Sequence, residues 1–328
     1  MADNSVFSGK SNSLLVGEEA SYGAGGTADK DLGYISRATL TQTEEFEEVP
    51  SIGARNVQEN VRTKYRVRGS IEGVYQHGRI LYYALGAVSH AGGTDPYTHT
   101  ITEADVLPSL VLQAAKSFSA AGVKNTVVGV KIDSLRVQAE KNSLLKWNAE
   151  WIGKSNTRAA TTASQTLDDI VPPAPSQIAV YTGADAANPT SELAGVYSWE
   201  FNIANNLEPV DPMNSVVITD LVEGDRRYTG RITLPASNAA ETVKQLSLIM
   251  GTDSATTPQN LQTERAIKFY WANGISPVDA FTTTLYGCTF NEISDPYEKG
   301  GIMVLDLPFK AKSLGACSTQ DDIASASW

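Results

Sequence analysis

Cysteine is nearly missing from this chain: two residues, Cys288 and Cys317, in 328. Two thiols cannot build a disulfide framework or a four-thiolate metal site, and the expected role of Cys288 is that of a small buried hydrophobe. Histidine is scarcer than most polar residues, with only His77, His90 and His99, and none stands in an HExxH or His/Cys ligand spacing. No apolar run approaches the roughly 18 residues that span a bilayer. The polar start MADNSVFSGKSNS has no signal-peptide core, so a soluble protein retained in the cytoplasm is expected. Nucleotide and nucleophile motifs are missing too. There is no G-x-S-x-G or P-loop, and Gly23-Ala24-Gly25-Gly26, which lacks a following lysine and helix, is expected to be flexible.

What is abundant is Thr, Ser, Gly, Val and Ala, with 41% hydrophobic and 19% charged residues and few helix-forming runs. That composition points to a mainly β fold. The length suits two domains of ordinary size. The net charge of −11 is uneven: residues 1–170 carry 17 Lys+Arg against 19 Asp+Glu, whereas residues 171–328 carry 9 against 18. An acidic surface disfavours tight DNA binding but suits a conduit that DNA must traverse without sticking.

The most informative stretch is Val127 to Lys154, two alternating runs around the turn Glu140-Lys141-Asn142-Ser143, which reads as a β-hairpin. Leu145, Trp147, Ala149 and Trp151 form its core face; Lys146, Asn148 and Glu150 form its wet face. In the partner strand the alternation slips at Asp133-Ser134, predicting a β-bulge. Shifted by 158 positions the pattern returns at Tyr286 to Lys312, with Gly129, Glu140, Lys141 and Lys154 meeting Gly287, Glu298, Lys299 and Lys312. There Leu305, Leu307 and Phe309 take the core phase, and Asp306, Pro308 and Lys310 the wet phase. Pro308 predicts an edge or a locally unpaired strand.

A second register, offset by 161, pairs Glu47 with Glu208, Val49 with Val210, Val61 with Val222, Arg66 with Arg227, Gly69 with Gly230 and Ile71 with Ile232. Each copy then reads as long loop, strand, short helix closed by glycine, and hairpin. The helices are expected at Gly78–Leu85 and Ser237–Met250. Such order twice in register indicates tandem copies of one domain. The expected division is an arm at 1–33, a first domain at 34–156, a Pro/Ala/Thr-rich connection at 157–194, a second domain at 195–314 and a tail at 315–328.

Two charged features need weighing. Glu44, Glu45, Glu47 and Glu48 lack the spacing of a Ca²⁺ loop and read as a solvated loop within 44–60. Arg62, Lys64, Arg66 and Arg68 share one strand face, and ion pairing with acidic loops is favoured over nucleic-acid contact.

Together VGEEASYG (Val16–Gly23), GSIEGVY (Gly69–Tyr75), the helix ending Leu85-Gly86, YTHTI (Tyr97–Ile101) with LPSL (Leu107–Leu110), and the hairpin GVKIDSLRVQAEKNSLLKWNAEWIG give a pattern that resembles the major tail tube proteins of long-tailed bacteriophages and related viruses. The resemblance implies two tandem β-sandwich or barrel-like domains, each with a flanking short helix, whose inner sheets join those of neighbours into a ring-shaped β-barrel around a channel. It implies a structural virion protein rather than an enzyme, with no cofactor, assembled in the host cytoplasm and resident in the tail. Six domains per ring and two per chain imply a homotrimeric, pseudo-sixfold ring. The expected partners are further copies of the chain, tape measure, terminator and baseplate components, and DNA in transit. Contacts between stacked rings fall to the arm and to the loops holding Glu44, Glu45, Glu47, Glu48, Glu208 and Asp211. Lys146, Asn148, Glu150, Asp306 and Lys310 are the expected lumen lining, on a wall of negative potential. The rival expectation is a tandem β-domain structural or carbohydrate-binding protein from outside this family.

Overall fold

The computed structural model describes residues 12–53, 55–93, 95–117, 122–161, 165, 167, 170–184, 188–236, 256–260, 262–273, 279–292, 304–324 and 328. The first half of the chain holds β1 (Asn12–Glu18), β2 (Ile35–Val49), β3 (Glu59–Val74), α1 (Arg79–Leu85), β4 (Gly86–Ala91), β5 (Tyr97–Glu103), β6 (Leu110–Ser117), β7 (Gly122–Glu140), β8 (Lys146–Gly153) and β9 (Ser155–Ala159). The second holds β10 (Ile178–Ala184), β11 (Ser191–Glu192), β12 (Ser198–Ala204), β13 (Glu208–Val210), β14 (Asp220–Val222), β15 (Arg227–Pro235), β16 (Arg265–Ala272), β17 (Ala280–Phe290), β18 (Val304–Ala311), β19 (Ser313–Leu314) and β20 (Cys317–Asp321). Mainly β was the expectation, and an antiparallel 18-stranded network with a separate β13–β14 pair is the result.

One layer of the network runs β2–β3–β8–β7–β12–β15–β18, with the end of β17 meeting β18. Two groups pack on it. The first is β1–β6–β7–β9. The second is β11–β10–β16–β17–β20–β5–β4, with β19 also on β17. Strands β7 and β17 are long because each serves both layers. The change of layer is made at Gly129 (φ +65°) and Gly287 (φ +62°), the glycines that the sequence repeat superposes. A left-handed residue relaxes the pleat there, and beside each the ladder breaks register, at Leu110/Leu112 and at Arg265/Ile267.

Alternation decides which side of the first layer is dry. Trp147, Ala149, Trp151, Leu135, Val137, Phe201, Ile203, Leu307 and Phe309 are all buried. The bulge expected at Asp133-Ser134 is present as a register shift between Ile132 and Ser134, and it keeps Leu135 and Val137 in phase with Ile132. Trp151 and Phe309 occupy matching positions, and each lies over a glycine. An added Cβ on Gly69 would sit 2.5 Å from the Trp151 ring, and one on Gly230 would sit 2.3 Å from Phe309. The layers then interlock through aromatic contacts: Trp199 stacks on Phe269 at 4.4 Å, and Tyr75 lies 5.0 Å from Phe281 and 6.0 Å edge-on to Trp271. Tyr75 belongs to the first half, Trp271 and Phe281 to the second, so one apolar cluster runs through both.

Several expectations change. Residues 44–60 are not a long loop: β2 pairs with β3 as far as Val49↔Glu59, leaving 50–58 as the turn. Glu44, Glu45, Glu47 and Glu48 therefore stand on a strand. The extension was hidden in the sequence because both its faces are wet, so no apolar alternation marks it. Glu208 likewise lies in β13, with Asp211 just beyond it. The stretches expected as connection and tail each contribute a strand, β10 and β20, while the arm carries β1 where a short strand around Leu14 to Val16 is expected. The glycines after Tyr22 are held rather than loose. Gly23 and Gly25 donate their N–H groups to the Glu19 carboxylate at 2.7 and 3.0 Å, and the same carboxylate accepts from Gly129 and from the Ser109 hydroxyl. Helix α1 ends on left-handed Gly86, as its sequence implies; the helix expected at 237–250 lies outside the described residues.

Candidate functional site

The surface to be explained is the polar face of the first layer. Cross-strand register puts Glu72, Asn148, Arg136, Asn202, Thr229 and Lys310 in one row. The row above holds Lys146, Gln138, Glu200, Arg231 and Pro308, and the row below Ser70, Glu150, Ser134 and Ala204. Asp306 follows opposite Thr233, whose hydroxyl is 3.3 Å away. The five residues expected to share a wet face, Lys146, Asn148, Glu150, Asp306 and Lys310, do share it. Several charges on this face are paired with one another. Arg136 bonds Glu200, Arg231 Nε lies 3.5 Å from Asp306, and Arg37 lies 4.0 Å from Glu72. Such exposed pairs contribute about 0.2–1 kcal/mol each, so their main effect is to cancel the potential locally. The second half's acidity gathers instead at Glu208, Asp211, Asp220, Glu223 and Asp225, between β12 and β15.

The join between the halves is the next feature. β7 and β12 pair from Glu140↔Ser198 to Ser134↔Ala204, and side chains around the bulge lock them together. The Asp133 carboxylate accepts from Leu207 N at 2.8 Å. Asn205 Nδ2 donates to the carbonyls of Ala84 (3.0 Å) and Ile132 (2.9 Å). Lys131 Nζ reaches Glu223 Oε1 and Leu221 O, both at 2.8 Å, and Leu107 N donates to Glu223 at 2.9 Å. Burial pushes the Glu223 carboxyl up, but the hydrogen bonds from Lys131 and from the backbone outweigh it and hold the group below the usual carboxylate range. Arg226 adds bonds to Asn205 and to Ala104 O. Sequence reasoning missed all of these residues, since each partner lies tens of positions away and no local pattern announces it.

The basic strand face resolves as expected toward ion pairing. Arg62 meets Glu44 at 3.0 Å, while Lys64 and Arg66 both reach Asp211, the former at 3.8 Å. Asp211 and Glu44, expected in loops that contact a neighbouring ring, thus also brace their own chain. A polar chain that runs from exposed His90 to buried His99 and Asp321 joins β4, β5 and β20. His90 Nδ1 is 2.7 Å from His99 Nδ1, and His99 Nε2 is 2.9 Å from Asp321. Trp328 stacks on His99 at 4.4 Å and bonds Asp321 Oδ2 at 3.3 Å. Burial, and then the neighbouring His99, hold His90 below the ordinary histidine value. No nucleophile stands in this cluster. Among the described residues no three His, Cys, Asp or Glu side chains converge as a metal site, and both cysteines are buried. No described helix is long and apolar enough to cross a membrane. Trp147, Trp151 and Trp199, which a sugar platform would have to expose, are in the core.

A family model for the phage tail tube protein matches residues 9–311, nearly the whole chain. The chain belongs to the phage tail tube protein family. No curated protein matches it. Membership makes this tail tube protein a structural component of the virion tail that assembles with itself and with other tail parts, and accounts for a molecule whose ordered charges are spent on strand-to-strand contacts.

Proposed function

We propose that this tail tube protein is a tandem pair of tube domains, about 34–156 and 195–314, three chains of which close a pseudo-sixfold ring. The observation that carries the reading is the β7–β12 junction. On one side of it the strand order is β2–β3–β8–β7; on the other it is β12–β15–β18–β17, the same order in the strands that the two sequence offsets superpose. Repeating that junction between chains brings β2 of one chain to the β17 end of the next. Among the described residues β2 has only β3 beside it, an edge strand of 15 residues whose stretch from Ala38 to Thr43 carries no charge. Such a head-to-tail contact closes into a ring when its rotation divides a full turn.

In that ring the paired-charge face lines the channel, with Lys146, Asn148, Glu150, Asp306 and Lys310 toward the DNA. A wall on which Arg136 and Arg231 are engaged by Glu200 and Asp306 offers phosphates few strong sites, so DNA passes without sticking. Stacked rings form the conduit for DNA delivery, capped by terminator and baseplate proteins and filled by a tape measure before ejection. Assembly takes place in the host cytoplasm. Symmetry analysis of assembled tubes by electron microscopy tests this: three chains per ring, in two alternating domain positions, is the expected result, and six chains per ring overturns it.

A further inference from the structure

The two copies of the repeat differ in how one hairpin is held. Near the tip of β2–β3, Glu47 faces Val61 and Val49 faces Glu59; 161 positions on, Glu208 faces Val222 and Val210 faces Asp220 in β13–β14. The register is the same. In the first copy the ladder continues from this outer part back to Ile35, with one register shift between Glu45 and Phe46. In the second copy it stops at Ala204↔Arg227, and Asn206, the counterpart of Glu45, turns to φ +49°. The outer part is thereby detached as a separate two-stranded sheet.

The detached part of the second copy is seated on the first half of the chain. Val216 O accepts from Tyr65 N at 2.8 Å, Asp211 takes Arg66 and, at 3.8 Å, Lys64, and Leu221 O accepts from Lys131. In that position Leu207 and Ile218 are only 8% and 1% exposed. Offset 161 carries Phe46 onto Leu207 and Val57 onto Ile218, yet Phe46 and Val57 are 55% and 43% exposed. Apolar side chains that are dry beside the β7–β12 junction stand bare where the chain makes no junction.

We infer that the outer part of β2–β3 is an arm for the neighbouring chain of the same ring: on assembly it bends at Glu45-Phe46 and lies on the start of that chain's β15, as β13–β14 lies on β3. This rests on the ring reading and names the surface that the junction between chains uses. The occupant is a second copy of this chain, because the equivalent seat within the chain is already filled by the equivalent arm. The same offset carries Tyr65 and Arg66 onto Arg226 and Arg227, and returns Val216 and Asp211 to Arg55 and Pro50. The register shift beside Phe46 already weakens the ladder where the bend falls. The two seats differ in polarity. Within the chain a carboxylate on the arm, Asp211, meets Lys64 and Arg66; between chains the arm offers Arg55, and Asp225 stands where the first seat has Lys64. An exchange of sign of this kind keeps each arm off the other's seat.

The test uses the full chain and two variants. Both native cysteines are buried, so Pro50→Cys/Arg227→Cys places one reactive thiol on the arm and one on its seat. Treating assembled tubes of this variant with a short bismaleimide is expected to give covalent species that end at three chains, and treating dispersed chains is expected to give none. Tubes that yield no covalent species overturn the inference and leave three-chain rings, counted by microscopy, standing. A ladder that runs past six chains also overturns it, since the arm would then reach the next ring. A series that ends at six overturns the three-chain ring and keeps the seat. In the second variant, Phe46→Ser/Val57→Ser, only exposed side chains change. The melting temperature of the dispersed chain is expected to hold, while the chain concentration needed for tubes rises about tenfold or more through the lost apolar burial. An unchanged threshold overturns the inference.

Discussion

At the residue scale, the informative positions are those where a side chain is missing. Gly129 adopts a φ of +65°, and a Cβ there would stand 2.7 Å from Lys154 Cβ; Gly287 adopts +62° and would meet Lys312 at 2.8 Å. Both changes, Gly129→Ala and Gly287→Ala, are expected to cost about 1–3 kcal/mol, the usual range for forcing a side-chain-bearing residue into a sparsely populated backbone region. Urea denaturation measures this, and a loss below about 0.5 kcal/mol at either site, the size of a neutral surface change, counts against the hinge role. The sequence disclosed these two glycines because they superpose in the repeat. It could not disclose their function, since a positive φ leaves no compositional trace beyond the glycine itself. The same holds for Gly69 and Gly230, whose significance lies in aromatic rings more than 75 positions away. The histidines carry the opposite lesson: His90 and His99 looked unconnected until β5 and β20 paired and put Asp321 and Trp328 beside them.

At the scale of elements, the β7–β12 junction is where two strands with no sequence signal for each other become one sheet. Lys131 and Glu223 are its charged pair, with the lysine side chain 6% exposed and the glutamate 18%. Removing one partner strands the other in a poorly solvated place. Glu223→Gln is therefore expected to destabilise the chain by about 2–3 kcal/mol, in the range of hydrogen bonds to charged groups, and Lys131→Met/Glu223→Leu by less than the sum of its single changes. The pH dependence follows from the depressed carboxyl. The unfolded chain binds that proton near the ordinary glutamate value of about 4.3, and the folded chain only at lower pH. The stabilisation is fully present above that ordinary value and is lost as pH falls through the folded one, and Glu223→Gln should flatten this part of the stability profile. A wild-type profile that the substitution leaves unchanged sinks the assignment. Of the elements themselves, the hairpin β7–β8, its bulge and α1 were legible in the sequence because each has one dry face and one wet face. The outer half of β2–β3 was not, because it has two wet ones.

At the scale of the whole molecule, the repeat does not produce two beads on a string. Tyr75 of the first half packs on Trp271 and Phe281 of the second, β20 from the end of the chain pairs with β5 near its beginning, and the buried cluster is continuous. Halves that share a core cannot expose it separately. Calorimetry of the dispersed chain is expected to show a single cooperative transition, with calorimetric and van't Hoff enthalpies in agreement. Two well-separated transitions would mean that the junction contributes little. In the proposed ring the β7–β12 junction of each chain is set before assembly, so three encounters rather than six would complete it.

By itself the sequence determined what depends on local periodicity: a β-rich chain, the dry and wet faces of the β7–β8 hairpin, a bulge at Asp133-Ser134, a glycine-capped helix, and a residue pattern that recurs at two constant offsets. Alternation and capping are short-range physics, and the chain records them in adjacent residues. Only the tertiary structure decided which strands lie beside which, that 44–49 is sheet rather than loop, that Arg136 pairs with Glu200 and Arg231 with Asp306 on the polar face, and that Lys131, Asn205, Glu223 and Arg226 bind the halves together. Those outcomes depend on groups distant in the chain meeting in space, as far apart as His99 and Asp321, and no stretch of sequence carries the energy of a contact that exists only once the sheet has formed.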